Sequence, residues 1–147
     1  MIRLPPDFKD FLRLLNANEV EYLLVGGYAV AYHGYPRATG DLDIWVAMDP
    51  ANARRMMVVL DAFGFGGQFS DETPLLEPDN IIRMGYPPVR IEVLTSVSGV
   101  NFEDCKAKAV IAEVDGVRTS IISCEDLKAN KKAAGRPKDM DDLQNLP

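Results

Sequence analysis

Cysteine and histidine are scarce in this sequence of 147 residues. It contains two cysteines, Cys105 and Cys124, and one histidine, His33. The cysteines lack the close spacing of a metal-binding motif, so we interpret them as reduced cytosolic thiols. We interpret His33 as a helix-end or packing residue rather than a catalytic one.

Long apolar runs and an excess of positive charge are also missing. No apolar stretch is long enough to span a bilayer, and the N-terminal "MIRLPPDFKDF" lacks the apolar core of a signal peptide. These absences predict a cytoplasmic protein without membrane contact. The net charge of −6 argues against broad, nonspecific nucleic-acid binding, which relies on a basic surface, although a local basic site remains compatible with it.

The composition is that of a globular domain. Hydrophobic residues make up 47% of the chain and charged residues 26%, and a chain of this length can bury a substantial core. No internal repeat, low-complexity segment or linker divides it. We therefore expect one domain over residues 1–147.

Hydrophobic periodicity predicts the element order α-β-α-β-α-β-β-α-β-β-α-α, an α+β fold with a mixed twisted sheet and helices packed on it. Phe8, Phe11, Leu12 and Leu15 form the stripe of the first helix, with Asp7 as its predicted N-cap. Strands are predicted at 21–25, 41–46, 81–84, 89–94, 110–114 and 117–122. Further helices are predicted at 27–33, 50–63, 101–109, 123–134 and 139–146, with Asp49 and Ser123 as N-caps and a long loop at 66–80.

Two glycines end the first predicted strand. Gly26 and Gly27 have no side chains, so a phosphate can approach their backbone, and the following helix would offer N–H donors. Arg37 and Thr39 lie shortly afterwards and could contact phosphate oxygens or brace the next strand. This stretch predicts a phosphate-binding turn.

Two aspartates begin the second predicted strand. Alternate side chains share one face of a strand, so Asp41 and Asp43 point the same way. Adjacent carboxylates repel each other, and a hard divalent cation, Mg²⁺ or Mn²⁺, would neutralise this repulsion. Glu92, on a later strand, shares a face with Arg90. If that strand lies beside 41–46, Glu92 joins the aspartates, and three carboxylates could hold two metal ions.

Each signal also has a structural interpretation. Asp-x-Asp is a common tripeptide, Gly-Gly after a strand is often only a tight turn, and Trp45 is more typical of a core than of a base-stacking platform. The basic residues between 128 and 138 could form a solvated helix face. The combination carries the prediction: a glycine turn, paired aspartates on the next strand, and a further strand carboxylate.

That combination resembles the nucleotidyltransferase superfamily with the DNA polymerase beta-like fold. The segments "GGYAVAYHGYPRATGDLDIWV", "PPVRIEVLTSVSGVNFEDC" and "ISCEDLKANKKAAGRPKDMDDLQNL" are similar to one branch. This branch comprises small, stand-alone prokaryotic nucleotidyltransferases related to abortive-infection toxins. The resemblance covers residues 21–146.

The resemblance implies a role for each matching residue. Asp41, Asp43 and Glu92 would be the catalytic metal triad for Mg²⁺ or Mn²⁺, and Gly26 and Gly27 the nucleotide-phosphate turn. Lys131 matches the helix lysine of the branch and would bind the nucleotide by neutralising charge on its triphosphate, and Asp139 matches the late acidic residue. The third carboxylate is usually aspartate in these sequences, so the longer Glu92 is a departure.

The leading functional hypothesis is a metal-dependent nucleotidyltransferase that moves a nucleotidyl group from a nucleoside triphosphate, such as ATP, to a hydroxyl acceptor. RNA, protein and small-molecule acceptors all remain open. The alternative is a catalytically silent nucleotide-binding module, or one half of a toxin–antitoxin or regulatory pair. A two-metal nuclease is a third interpretation. A homodimer or a protein partner could complete so small a domain.

Overall fold

A single mixed sheet organises the part of the chain that the computed structural model describes, residues 2–86 and 88–147. Its strand order is β3-β4-β2-β1-β6-β5. The strands are β1 (Tyr22–Val25), β2 (Asp41–Val46), β3 (Ile81–Tyr86), β4 (Val89–Leu94), β5 (Val110–Val114) and β6 (Val117–Ile121). The helices are α1 (Pro6–Ala17), α2 (Gly26–Tyr32), α3 (Pro50–Ala62), α4 (Phe102–Ala107), α5 (Cys124–Ala134) and α6 (Pro137–Asn145).

The order of helices and strands confirms the predicted α+β fold. The central strand β2 pairs antiparallel with β1 and parallel with β4. β1 also pairs with β6 in parallel, while β3 and β5 form the two edges. The predicted loop at 66–80 contains two short 3₁₀ turns, Gly66–Gln68 and Thr73–Leu75.

The core lies on both sides of the central strands. The predicted stripe of α1 is buried, and so are the apolar residues of β1. Trp45 is 2% exposed and packs edge-to-face on Phe102 with ring centroids 5.1 Å apart, which agrees with the core interpretation. His33 ends α2, and its Nε2 lies 2.7 Å from the carbonyl oxygen of Ile122.

Two of the three predicted N-caps form hydrogen bonds. The side chain of Asp49 accepts from the backbone N–H of Asn52, and that of Ser123 accepts from Asp126. The prediction for Asp7 is wrong, because α1 already begins at Pro6 and Asp7 lies inside its first turn. Proline at the first helical position has no N–H and a preset φ, so the helix starts without a side-chain cap.

Other boundaries differ by one or a few residues, and β3 extends to Tyr86 rather than ending at residue 84. α2 includes Gly26, and α6 begins at Pro137 rather than at Asp139. The proline again supplies a preset first position. Within the described residues, no helix combines the length and the apolar character that crossing a bilayer demands.

Candidate active site

Three carboxylates converge on one face of the sheet at the β2–β4 pair. The register of these parallel strands places Asp43 beside Glu92, with Asp41 two residues earlier on the same face. One oxygen from each of the three carboxylates lies within 4.8 Å of the others. Leu42 and Ile44 point to the opposite face and are fully buried. The expected meeting of Glu92 with the aspartates therefore occurs.

Two arginines contact this carboxylate triad. Arg90 Nη2 lies 3.0 Å from Asp41 Oδ2 and 3.0 Å from Glu92 Oε1. Arg83 Nε on β3 lies 3.3 Å from the same Glu92 oxygen. The sequence placed Arg90 on the face of Glu92 but gave neither arginine a role. Arginine side chains of the protein thus form ion pairs with two of the three carboxylates.

The environment of the triad shifts the protonation of Asp43. Burial, the negative charges of Glu92 and Asp41, and a hydrogen bond with Glu92 raise the pKa of Asp43 to about 7. The positive charge of Lys138 acts in the opposite direction. Near neutral pH, the ion-free cluster therefore binds a proton for part of the time.

The two glycines after β1 lie directly against the site. Gly26 has φ +69°, and a Cβ atom there would come within 2.0 Å of Asp43 Oδ2. A Cβ atom at Gly27 would come within 2.3 Å of Thr39 Oγ1. No side chain fits at either position unless Asp43 or Thr39 moves, so the turn and the acidic strand constrain each other.

A buried ion network connects the last two helices with the segment before β2. Lys131 Nζ on α5 lies 3.3 Å from Asp139 Oδ1 and 3.1 Å from Asp142 Oδ2. Arg37 donates to both oxygens of Asp142, at 2.6 and 2.8 Å. Arg136 Nε donates to Asp139 Oδ2 at 2.7 Å. Both aspartate side chains are almost completely inaccessible to solvent, at 0% and 1% exposure.

This network bears on three predicted site residues. Arg37 and Lys131, predicted to contact phosphates, each form ion pairs within the protein, and both also line the cavity at the triad. Asp139 accepts hydrogen bonds from the side chains of Lys131 and Arg136. Sequence reasoning missed Asp142, although its position three residues after Asp139 puts both carboxylates on one face of a helix.

A cavity of about 950 Å³ opens above the triad and the glycine turn. Gly26, Gly27 and Thr39 line it together with the three carboxylates. Its cationic lining comprises Arg37, Arg83, Arg90, Lys131, Arg136 and Lys138. A cavity of this size lies at the upper end of small-molecule sites and has room for a nucleoside triphosphate.

The donor set fits a hard divalent cation. Asp41, Asp43 and Glu92 offer carboxylate oxygens alone, the ligands that Mg²⁺ and Mn²⁺ prefer. The triad could therefore bind such an ion.

Comparison with known proteins assigns this chain to the nucleotidyltransferase superfamily. Residues 6–147 match a protein family described as "Nucleotidyl transferase of unknown function (DUF2204)", and the chain belongs to that family. No curated protein matches the chain.

Two solved structures share the fold. One is a candidate nucleotidyltransferase from Thermotoga maritima, with 15% identity and a TM-score of 0.62, covering 98% of this chain and 93% of that one. The other is an antigenic nucleotidyltransferase-like protein from Paracoccidioides brasiliensis, with 14% identity and a TM-score of 0.55, covering 94% of this chain and 71% of that one. Neither they nor the family description names a toxin, so the toxin-related branch stays a prediction.

Proposed function

We propose that this protein is a metal-dependent nucleotidyltransferase that moves a nucleotidyl group from a nucleoside triphosphate to a hydroxyl acceptor. The observation that carries the proposal is the convergence of Asp41, Asp43 and Glu92 within 4.8 Å, beside a turn that leaves no room for side chains at Gly26 and Gly27. Membership in a nucleotidyl transferase family supports it.

The proposed reaction is a substitution at the α-phosphorus. The acceptor hydroxyl oxygen bonds to that phosphorus, the bond to the oxygen bridging the α- and β-phosphates breaks, and pyrophosphate leaves. Asp41 and Asp43 would hold Mg²⁺ or Mn²⁺, while Glu92 would complete the set and accept the hydroxyl proton. Divalent ions, when bound, neutralise charge on the phosphates and polarise them.

The remaining cavity residues would hold the triphosphate. The backbone at Gly26 and Gly27, with Thr39, would contact phosphate oxygens, and Lys131 and Arg37 would oppose their negative charge. Asp139 would orient Lys131, which it contacts at 3.3 Å. RNA, protein and small-molecule acceptors all remain compatible with an open cavity of this size.

Thermal unfolding with ATP, GTP, CTP and UTP, each with and without Mg²⁺, tests the proposal. A ligand that binds only the native state at 100-fold over its Kd adds about 2.7 kcal/mol of stability. We expect a Mg²⁺-dependent rise in Tm with at least one nucleotide. Pyrophosphate release in the presence of RNA, protein and small-molecule acceptors then tests transfer itself.

Asp43→Asn is the informative variant, with Asp10→Asn as its matched control. Asp43→Asn removes one metal ligand and should abolish both the Mg²⁺-dependent shift and transfer. Among the described residues, Asp10 pairs with Arg13 in an exposed contact on α1, so its amide variant should behave as wild type. Transfer that persists in Asp43→Asn would refute the assignment.

A catalytically silent nucleotide-binding or regulatory module is the second candidate, including one half of a toxin–antitoxin pair. Arg90 and Arg83 favour it, because they already pair with two of the three carboxylates. This candidate predicts nucleotide binding without pyrophosphate release under any acceptor condition. Steady release of pyrophosphate would exclude it.

A further inference from the structure

Arg90 lies between two of the three candidate metal ligands. Its Nη2 atom is 3.0 Å from Asp41 Oδ2 and 3.0 Å from Glu92 Oε1. The contact with Asp41 is a hydrogen bond and the contact with Glu92 is an ion pair, so one guanidinium nitrogen bridges carboxylates of β2 and β4. The strand register explains this, because Asp41 is opposite Arg90, and Arg90 shares a face with Glu92.

The bridge opposes repulsion within the cluster. Three carboxylates whose oxygens lie within 4.8 Å of each other repel strongly unless a positive charge is near. Arg90 contacts two of them, and Arg83 contacts Glu92 from the neighbouring strand. The Glu92 side chain is only 13% exposed, so solvent screens these contacts incompletely. The protein therefore stabilises its acidic cluster with its own side chains.

A divalent ion bound by the same carboxylates would compete with Arg90 for their negative charge. Two cations close to shared ligands repel each other, most strongly where burial lowers the effective dielectric constant. A second observation concerns Arg90 Nε, which is buried and has no hydrogen-bond partner among residues 2–86 and 88–147. An unpaired buried donor is unfavourable, so the side chain loses less when it leaves this position.

We infer that Arg90 is an internal counter-cation that bridges Asp41 and Glu92 in the ion-free protein and is displaced when a divalent ion binds. The inference rests on the metal site of the proposed function but not on turnover. Arg90 also lines the cavity, so a displaced guanidinium stays where it can face an anionic substrate. Arg90 is thus a positioning residue for the triad.

Mn²⁺ binding, followed by the electron paramagnetic resonance signal of the free ion, tests the inference without an activity assay. Arg90→Gln removes the competing charge and should bind Mn²⁺ at least tenfold more tightly than wild type. Arg90→Lys keeps the charge and should stay within threefold of wild type. Arg83→Gln is the matched control, since it removes an equal charge that contacts Glu92 alone and is 56% exposed. Its affinity should rise less than threefold.

The outcomes separate this inference from the proposed function. Unchanged or weaker Mn²⁺ binding in Arg90→Gln would overturn it, and so would an equal gain in Arg83→Gln, which would show a general charge effect. Absence of Mn²⁺ binding in all variants would overturn the proposed metal site as well. Normal Mn²⁺ binding without nucleotidyl transfer would count against the proposed function alone.

A measurement on the wild-type protein avoids any folding defect of the variants. The side-chain Nε–Hε resonance of Arg90 can be assigned by its loss in Arg90→Lys. Saturating Mg²⁺ should shift this resonance and speed its exchange with water, while the Arg83 resonance moves less. An Arg90 resonance that stays unchanged at saturating Mg²⁺ would show that the bridge persists, and the inference would fail.

Discussion

Gly26 lies so close to Asp43 that a side chain at this position would displace a candidate metal ligand. Gly26→Ala places a methyl group where Asp43 Oδ2 now lies, at 2.0 Å, and forces alanine into the left-handed region at φ +69°. The backbone strain alone costs about 1–2 kcal/mol. We expect Asp43 to move and Mn²⁺ binding to weaken at least tenfold, measured by titration.

Gly116→Ala is the matched control for this prediction. Gly116 also has a positive φ, +81°, but a Cβ atom there meets no atom of residues 2–86 and 88–147 within 4 Å. It lies in the β5–β6 hairpin, away from the triad. The control should lose similar stability and keep Mn²⁺ affinity. Equal metal affinity in Gly26→Ala and Gly116→Ala would contradict the packing argument.

The raised pKa of Asp43 predicts how stability depends on pH. Between the ordinary pKa of 3.8 and the folded value of about 7, the folded protein binds more protons than the unfolded chain. The free energy of unfolding contributed by this group is therefore present at low pH and is lost as pH rises through about 7. The loss amounts to at most about 4 kcal/mol, at 1.36 kcal/mol per pKa unit.

Urea unfolding in EDTA at several pH values between 4 and 8 measures this effect. Asp43→Asn carries no titrating group, so the difference in unfolding free energy between variant and wild type should grow as pH rises. Groups distant from Asp43 cancel in that difference, which therefore reports the titration of Asp43 together with the two carboxylates coupled to it. A difference independent of pH would mean that Asp43 titrates normally in the folded protein.

At the residue scale, the sequence predicted where the three carboxylates lie but not which cationic side chains contact them. Period-two alternation placed Asp41 and Asp43 on one face, and the same rule placed Glu92 beside Arg90. This alternation did not predict that Arg90 contacts Asp41. That contact depends on the pairing of β2 with β4, which local periodicity does not encode. The proposed metal ion and the observed arginines would both neutralise the negative charge of the three carboxylates.

At the scale of elements, Asp142 connects α6 to the rest of the site. It accepts two hydrogen bonds from Arg37 and forms an ion pair with Lys131 at 3.1 Å, and its side chain is 1% exposed. Burial raises its pKa, but the contacts with Arg37 and Lys131 outweigh this and lower the pKa below its usual range. Asp142→Ala leaves two cations without their shared partner and should cost about 3–5 kcal/mol in unfolding free energy.

Asp141→Ala tests the neighbouring position on the same helix. Asp141 is exposed, and its contact with the Tyr35 hydroxyl lies at the surface, so the change should cost less than about 1 kcal/mol. Urea unfolding of both variants at neutral pH gives the comparison. Similar losses in the two variants would show that the buried network contributes little to holding α6.

The order of elements was predictable because the local signals were strong. Apolar stripes, capping residues and the Asp115–Gly116 turn each act over a few residues, and both turn residues take positive φ as such a turn requires. The ion network was not predictable in the same way. Arg37 and Asp142 lie far apart in sequence, and their contact depends on how α6 packs.

At the scale of the whole molecule, the lining of the large cavity differs in charge balance from the protein as a whole. The protein carries a net charge of −6, yet six cationic side chains and four carboxylates line the large cavity. The sequence placed Lys131, Arg136 and Lys138 in one basic run, but only the fold brings them opposite Arg83 and Arg90. An anionic ligand should therefore be repelled by the surface and attracted by the cavity.

This charge pattern predicts that triphosphates bind more tightly than monophosphates and that salt weakens their binding. With Mg²⁺ present, calorimetry should give an affinity order of NTP, NDP and NMP, with at least a tenfold difference between the first and the last. Raising KCl from about 50 to about 500 mM should weaken NTP binding severalfold, since the partly exposed contacts are screened within about 10 Å.

Lys138→Gln and Lys9→Gln separate the cavity from the general surface. Lys138 lines the cavity and acts electrostatically on Asp43, whereas Lys9 pairs with Asp115 elsewhere. Both changes make the net charge more negative by one unit. If the cavity charge attracts the phosphates, only Lys138→Gln should weaken NTP binding and flatten its salt dependence. Equal effects of the two variants would show that the overall charge of the protein, rather than this cavity, governs anion binding.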